Sequence, residues 1–163
     1  MQNRDMANTV KAIPEGFESA TPYLSIKGAA AAIEFYKKAF GATEAMRMAG
    51  PDGRIGHAEI LIGKARIMLA DEHPEINFLS PRTLGGSPVT IHLYVEDVDR
   101  LAAQAEAAGA KVLRAVADQF YGDRSGSFED PFGHVWNFAT HKENVSNEEM
   151  QRRMAALSAG GQS

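Results

Sequence analysis

An internal repeat constrains this chain more than any other feature. Tyr23-Leu24-Ser25-Ile26 leads into an alanine-rich stretch that ends Ala39-Phe40-Gly41-Ala42, and His92-Leu93-Tyr94-Val95 leads into another that ends Ala108-Gly109-Ala110. The offset is 69 residues at the strand and 68 at the glycine, so a single gap brings the copies into register. A period of that length holds one supersecondary unit, not a solenoid turn. The 163 residues therefore read as two half-sized units sharing a core, large enough to fold unaided.

Each unit switches its hydrophobic period. Residues 21–26 alternate, with Pro22, Leu24 and Ile26 on one face and Thr21, Tyr23 and Ser25 on the other, as a half-buried strand requires. Ala32, Phe35, Tyr36, Ala39 and Phe40 then recur at helical spacing, and Gly41 is placed to end the helix. A short strand over 43–48 follows, then a turn at Pro51-Asp52-Gly53. Strands over 56–62 and 65–70 come next, joined by Gly63-Lys64. The second unit repeats the order. Its strand is 89–95, its helix 97–108 with Asp97 as N-cap, and its next strand 111–115. A loop through 118–123, a strand over 126–129, the turn Asp130-Pro131-Phe132-Gly133 and a strand over 134–140 complete it. Residues 73–86 carry two Pro and two Gly and read as a linker. Ser146-Asn147-Glu148-Glu149 has the form of a capping box, so a last helix is expected over 147–158 before a frayed Gly-Gly-Gln-Ser end.

Composition narrows the function. There is no cysteine, which removes disulfides, thiolate nucleophiles and thiolate metal sites. A net charge of -4 with both signs interspersed gives no basic footprint for nucleic acid. Residues 1–13 are mostly polar and lack a signal-peptide core, and no run of about eighteen apolar residues occurs, so no membrane partner is expected and a cytoplasmic location is. Met6-Ala7 could also be the true start of the chain. The chain contains no Gly-x-Gly-x-x-Gly, Walker loop, nucleophile elbow or His-Glu-x-x-His.

Three stretches carry a family resemblance: Ala32 to Ala42, His57-Ala58-Glu59-Ile60, and Gln119 to Arg124 continuing through Asp130 to Trp136. On these the chain, over roughly residues 20 to 145, resembles the vicinal oxygen chelate superfamily (glyoxalase, bleomycin resistance protein, dioxygenase), and within it the PhnB-like branch. The resemblance implies two βαβββ modules whose curled sheets form a cup, usually holding a metal on ligands from the first and last strand of each module. Carried onto this chain, those four positions fall at or near Thr21, at about Ile67, at Thr90 and at Asn137. Thr, Ile, Thr and Asn offer no anionic or imidazole donor to offset dehydration of a divalent ion. No cofactor is expected at the usual place.

Strand alternation names the side chains that would line the cup: Thr21, Tyr23 and Ser25; His57, Glu59 and Leu61; Thr90, His92 and Tyr94. His57, Glu59 and His92 make a workable ligand set for a displaced divalent metal, or an acid–base group. The i, i+2 spacing is equally that of any polar strand face, which favours a solvated edge and a hydrogen-bonded wall. Arg124 fits either a clamp on a ligand carboxylate or phosphate, or a loop-ordering pair with Asp123. Tyr121 joins Tyr23 and Tyr94 as an aromatic wall, whereas Trp136 and Phe138 are expected under a helix and His134 in a turn with its ring on the backbone.

The expectation is an α+β chain: an N-terminal extension (1–19), one domain (20–143) of modules 20–72 and 87–143 with linker 73–86, and a C-terminal helix and tail (144–163). Its two tandem βαβββ modules would form an open cupped mixed sheet. The resemblance implies a homodimer that binds a small organic molecule between modules through Tyr23, His57, Glu59, Thr90, His92, Tyr94, Tyr121, Arg124 and Asn137. The alternative is a metal-dependent lyase, isomerase or dioxygenase of the glyoxalase type, and a third class is a scaffold with an empty cup.

Overall fold

The computed structural model describes residues 10–160. The expected extension up to residue 9, with the alternative start at Met6, and the expected frayed end from Gly161 lie outside the described residues. In the first half β1 (Tyr23–Ile26), α1 (Ala29–Phe40), β2 (Thr43–Ala49), β3 (Ile55–Ile62) and β4 (Ala65–Asp71) follow one another. They form a sheet of order β1-β4-β3-β2, parallel only at β1–β4. After a 3-10 turn at Pro74–Ile76 and α2 (Pro81–Leu84), the second half runs β5 (Thr90–Tyr94), α3 (Val98–Ala108), β6 (Lys111–Asp118), β7 (Asp123–Glu129) and β8 (Val135–His141). Its sheet has the same form, β5-β8-β7-β6, parallel only at β5–β8. The chain continues into α4 (Asn147–Gly160).

Local chemistry accounts for the helices. No side chain of its own caps α1; Gly28 turns left-handed before it, and Asp71 Oδ1 at the end of β4 accepts the N–H groups of Gly28 and Ala29 at 3.1 and 3.0 Å. The helix start is thus pinned to the sheet it packs on, satisfying two donors that would otherwise be orphaned. Asp97 caps α3 as its position suggested, accepting from Arg100 N at 3.0 Å. In α4 half of the capping box forms. Ser146 Oγ accepts from Glu149 N, while the Glu149 carboxylate turns to Arg152 and Arg153.

One core serves both halves. The helices pack on each other, and Tyr36 and Phe40 of α1 reach across to Trp136 and Phe138 of β8, with ring centroids 4.9–5.4 Å apart. Removing each such ring from water contributes roughly 2 kcal/mol. At the middle lies Asp130, 1% exposed, which accepts from Tyr36 Oη (2.7 Å), Trp136 Nε1 (2.9 Å) and the backbone N–H groups of Phe132 and His134. A buried carboxylate with four donors is well compensated, and it ties α1 of one half to the closing turn of the other. Burial and the Asp130 charge together push the Tyr36 hydroxyl far above its usual range.

The second-half hairpin differs from the expectation. β6 runs to Asp118 and β7 begins at Asp123, leaving a turn of four residues. Asp118 and Arg124, which read as loop residues, are a paired rung of the ladder, and two register shifts keep the long β6 in place. Gly126 sits opposite the bulge, where an added Cβ would meet Val116 Cγ2 at 2.9 Å and Arg114 O at 3.1 Å. The linker is no loose tether. Glu72 accepts from Ser80 N and Thr83 Oγ1, and Arg82 donates to Pro131 O, so it is bonded to both halves.

Candidate ligand site on the open sheet faces

Both helices cover the same side of their sheets, and the opposite faces are open. At the seam His134 Nε2 donates to Ser25 O on the outer edge of β1 at 3.0 Å, so the halves meet edge to edge. A cavity of about 220 Å³ lies along that seam, lined by Thr21, Pro22 and Arg66 from one half and Ile91, His92 and Leu93 from the other. This is smaller than the roughly 300–1,000 Å³ usual for a ligand pocket. A wider hollow of about 730 Å³ also spans the halves, lined by Gly63 of one and by Tyr94, Val95, Glu96, Thr140 and His141 of the other, so within one chain the space between the modules is open rather than enclosed. The shared aromatic core draws the backs of the sheets together and leaves their fronts exposed, with Tyr23 46% and Tyr94 61% accessible.

On the first face Tyr23 Oη donates to His57 Nδ1 (2.7 Å), and His57 Nε2 in turn donates to Glu59 Oε1 (3.3 Å). Arg66 Nη1 closes the chain on Glu59 Oε2 at 2.5 Å. Burial, and then the Glu59 charge, raise the Tyr23 hydroxyl above its ordinary value. Phe78 from the linker packs edge-on against Tyr23 at 5.6 Å. Of the cup-lining residues expected on β1, Ser25 is buried with no hydrogen-bond partner for its hydroxyl among the described residues, and Thr21 precedes the strand.

On the second face Asn137 Nδ2 donates to His92 Nδ1 at 2.6 Å, while its Oδ1 accepts from Arg114 Nη2 (3.1 Å) and Ser127 Oγ (3.0 Å). Tyr94 Oη donates to Asp123 Oδ2 and His141 Nδ1 donates to Oδ1 of the same carboxylate, both at 2.7 Å. Asp123 is 4% exposed; burial alone would raise its carboxyl, but the bonds from Tyr94 and His141 outweigh this and hold it below the usual range. Bonds to Asn144 and Asp123 raise His141. Tyr121 Oη is 3.5 Å from Ser125 Oγ, and Thr90 is exposed at the start of β5, opposite Val135.

Two expectations need correction. Arg124 shares the helix-side face of β7 with Gly126 and the buried Phe128, and its guanidinium is held by Asp99 of α3 and by Asp118, away from the open face. Ile67, placed at the second metal position, is 1% exposed and packs in the core, while Met68 faces outward opposite Tyr23. Thr21, Ile67, Thr90 and Asn137 thus supply no ring of donors that fits a divalent ion. Nor do His57, Glu59 and His92 converge: the first two belong to one sheet and the third to the other. Among the described residues no three His, Asp or Glu side chains come together in a metal-holding group.

Sequence reasoning missed Asp123, His141 and Arg114. Period-two counting from the apolar Phe128 would have placed Asp123 outward and Arg124 inward, had the strand been started early enough. Arg114 is harder, because the bulge between Val112 and Arg114 reverses the side to which simple alternation assigns it.

Paired βαβββ halves with open sheet fronts define a class of architecture, and comparison gives the family. The model of the Glyoxalase/Bleomycin resistance protein/Dioxygenase superfamily matches residues 21–138, and the chain belongs to that superfamily. Rv0887c of Mycobacterium tuberculosis, an uncharacterised protein, is 43% identical over 143 residues, covering 86% of this chain and 84% of its own length. The X-ray structure of the Arabidopsis thaliana At5g48480 product superposes with a TM-score of 0.62 at 28% identity, covering 76% of this chain and 98% of that one. The fosfomycin resistance protein FosX from Listeria monocytogenes, crystallised with Mn(II) and sulfate, has a TM-score of 0.57 at 19% identity over 83% of this chain and 96% of its own; that likeness extends to the fold alone.

Proposed function

We propose that this chain is a PhnB-like small-molecule-binding protein of the cytoplasm, whose two open sheet fronts take up a small organic ligand and are closed over by a second copy. One observation carries the reading. The fronts present large aromatic side chains whose polar ends are already bonded, Tyr23 to His57 and Tyr94 to Asp123, so flat apolar surface is held in fixed orientations while still accessible. Aromatic surface that costs no further ordering is what a binding site needs. Met46 and Met48 on the outer strand of the first front, both exposed, add adaptable apolar contact. The open fronts and the small seam cavity support a homodimer, since a second copy laid over them would enlarge the enclosed volume without moving the core.

Light scattering on the purified chain, with a thermal-shift screen of planar aromatic compounds, small carboxylates and neutral amides, tests this. A dimer mass and a Tm that rises with at least one planar compound are expected, the rise disappearing in Tyr23→Ala and Tyr94→Ala. A monomeric mass together with indifference to the whole screen overturns the reading.

A further inference from the structure

The second front carries an arginine, Arg114, that no carboxylate among the described residues neutralises. Arg114 Nη2 donates to Ser125 Oγ (3.3 Å), Ser127 Oγ (3.5 Å) and Asn137 Oδ1 (3.1 Å), all uncharged acceptors. The arginine on the first front, Arg66, has Glu59 at 2.5 Å. Arg114 heads a row that crosses all four strands: it stands opposite Ser127, Ser127 opposite Asn137, and Asn137 opposite His92. The three acceptors hold one nitrogen of the guanidinium down on the sheet, and its Nη1 and Nε have no partner among the described residues.

The same bonds fix the far end of the row. Because Asn137 Oδ1 accepts from Arg114 and Ser127, its Nδ2 must be the donor to His92, and His92 then accepts at Nδ1 and carries its proton on Nε2. Donors therefore stand at both ends of the row with no acceptor charge between them. Next to His92, at 4.9 Å between ring centroids, the exposed Tyr94 ring supplies a flat wall.

We infer that Arg114 is an anion-receiving subsite that takes the carboxylate of an aromatic organic acid, whose ring lies along His92 and Tyr94. The inference deepens the small-molecule reading above and rests on it. The planar fork of a guanidinium matches a carboxylate edge to edge, and a cation without a counter-charge gains most from one. The first front cannot do the same: Met46 holds the place equivalent to Arg114, and Glu59, which repels an acid, the place equivalent to Ser127.

Titration of the full chain with benzoate and with its neutral analogue benzamide, followed by calorimetry or NMR shifts, tests the subsite. The wild type should bind benzoate about tenfold or more tightly than benzamide, the size of one charge-assisted contact. Arg114→Gln should bring benzoate down to the benzamide level with Tm unchanged. Asn137→Asp, which sets a carboxylate beside the guanidinium, should do the same with Arg114 still present. Arg124→Gln, on the opposite face, should keep the preference. Equal binding of the two probes by the wild type, or a benzoate preference that survives Arg114→Gln, overturns the subsite while the small-molecule reading stands. Absence of any benzoate binding overturns it too, and the thermal-shift screen then decides whether the wider reading falls with it.

Discussion

Met46, Glu59, Met68 and Tyr23 stand side by side across the first sheet; Arg114, Ser127, Asn137 and His92 occupy the equivalent row of the second. Each member of the second row follows its counterpart by 68 or 69 residues, and the bulge that turns Arg114 outward has its copy between Glu44 and Met46. The backbone is duplicated down to its irregularities, yet the fronts differ in chemistry. In the first, thioethers flank an acid already matched by Arg66 and His57. In the second, neutral hydrogen-bonding groups carry an unmatched cation, and the acid, Asp123, is buried beneath Tyr94 and His141. A scaffold that both halves need for packing has left each front free to specialise, because front side chains point away from the shared core.

The strongest test of that common scaffold is Asp130, whose four donors come from both halves. Asp130→Ala leaves buried hydroxyl, indole and amide donors unpaired, and urea unfolding should register a loss of about 3–5 kcal/mol in one cooperative transition. Two separate transitions would mean that the halves do not share one core. Next in size is Glu59→Gln, which removes the counter-charge of Arg66 beside the first front; among the described residues Arg66 Nε is already buried without a hydrogen-bond partner, so a loss of about 1–3 kcal/mol is expected by the same measurement. The His141–Asp123 pair follows. The folded pKa of His141 lies above its ordinary value of 6.5, so its stabilisation is complete below that value and is lost as pH rises through the folded pKa. Chemical denaturation should therefore show a larger gap between wild type and His141→Gln at about pH 5.5 than at about pH 8.5, and a gap that widens with pH would refute the sign. Arg114→Gln should change stability by no more than about 0.5 kcal/mol, because Arg114 is itself exposed and its acceptors, the buried Ser125 and the half-buried Ser127 and Asn137, are all uncharged. A loss comparable to that of Glu59→Gln would erase the contrast between the fronts.

Much of this was legible in the chain. The alternation at 90–94 and 57–61 put Thr90, His92, Tyr94, His57 and Glu59 outward, because a pleated strand carries its two faces in a period of two. The strand-to-helix switch and Gly41 marked α1, whose C-terminus closes on a left-handed Gly41 with its N–H on Tyr36 O. Arg124 went astray because Asp118 to Arg124 is rich in turn-forming residues, and cross-strand pairing overrode that local preference. Arg114 was hidden by the bulge, for which the only local sign was a glycine, Gly126, inside a strand.

What the amino-acid order determined by itself is the duplicated unit and the side of each regular strand, since both are written in short-range periodicity that the backbone obeys residue by residue. Only the tertiary structure decided that the halves meet edge to edge, that Asp130 gathers donors from as far as 94 residues away at Tyr36, and that Arg114 faces outward without a counter-charge. Contacts made across such separations leave no periodic trace in the chain; they follow from how two packed backs fit together, and that fit also decided which side chains the fronts present.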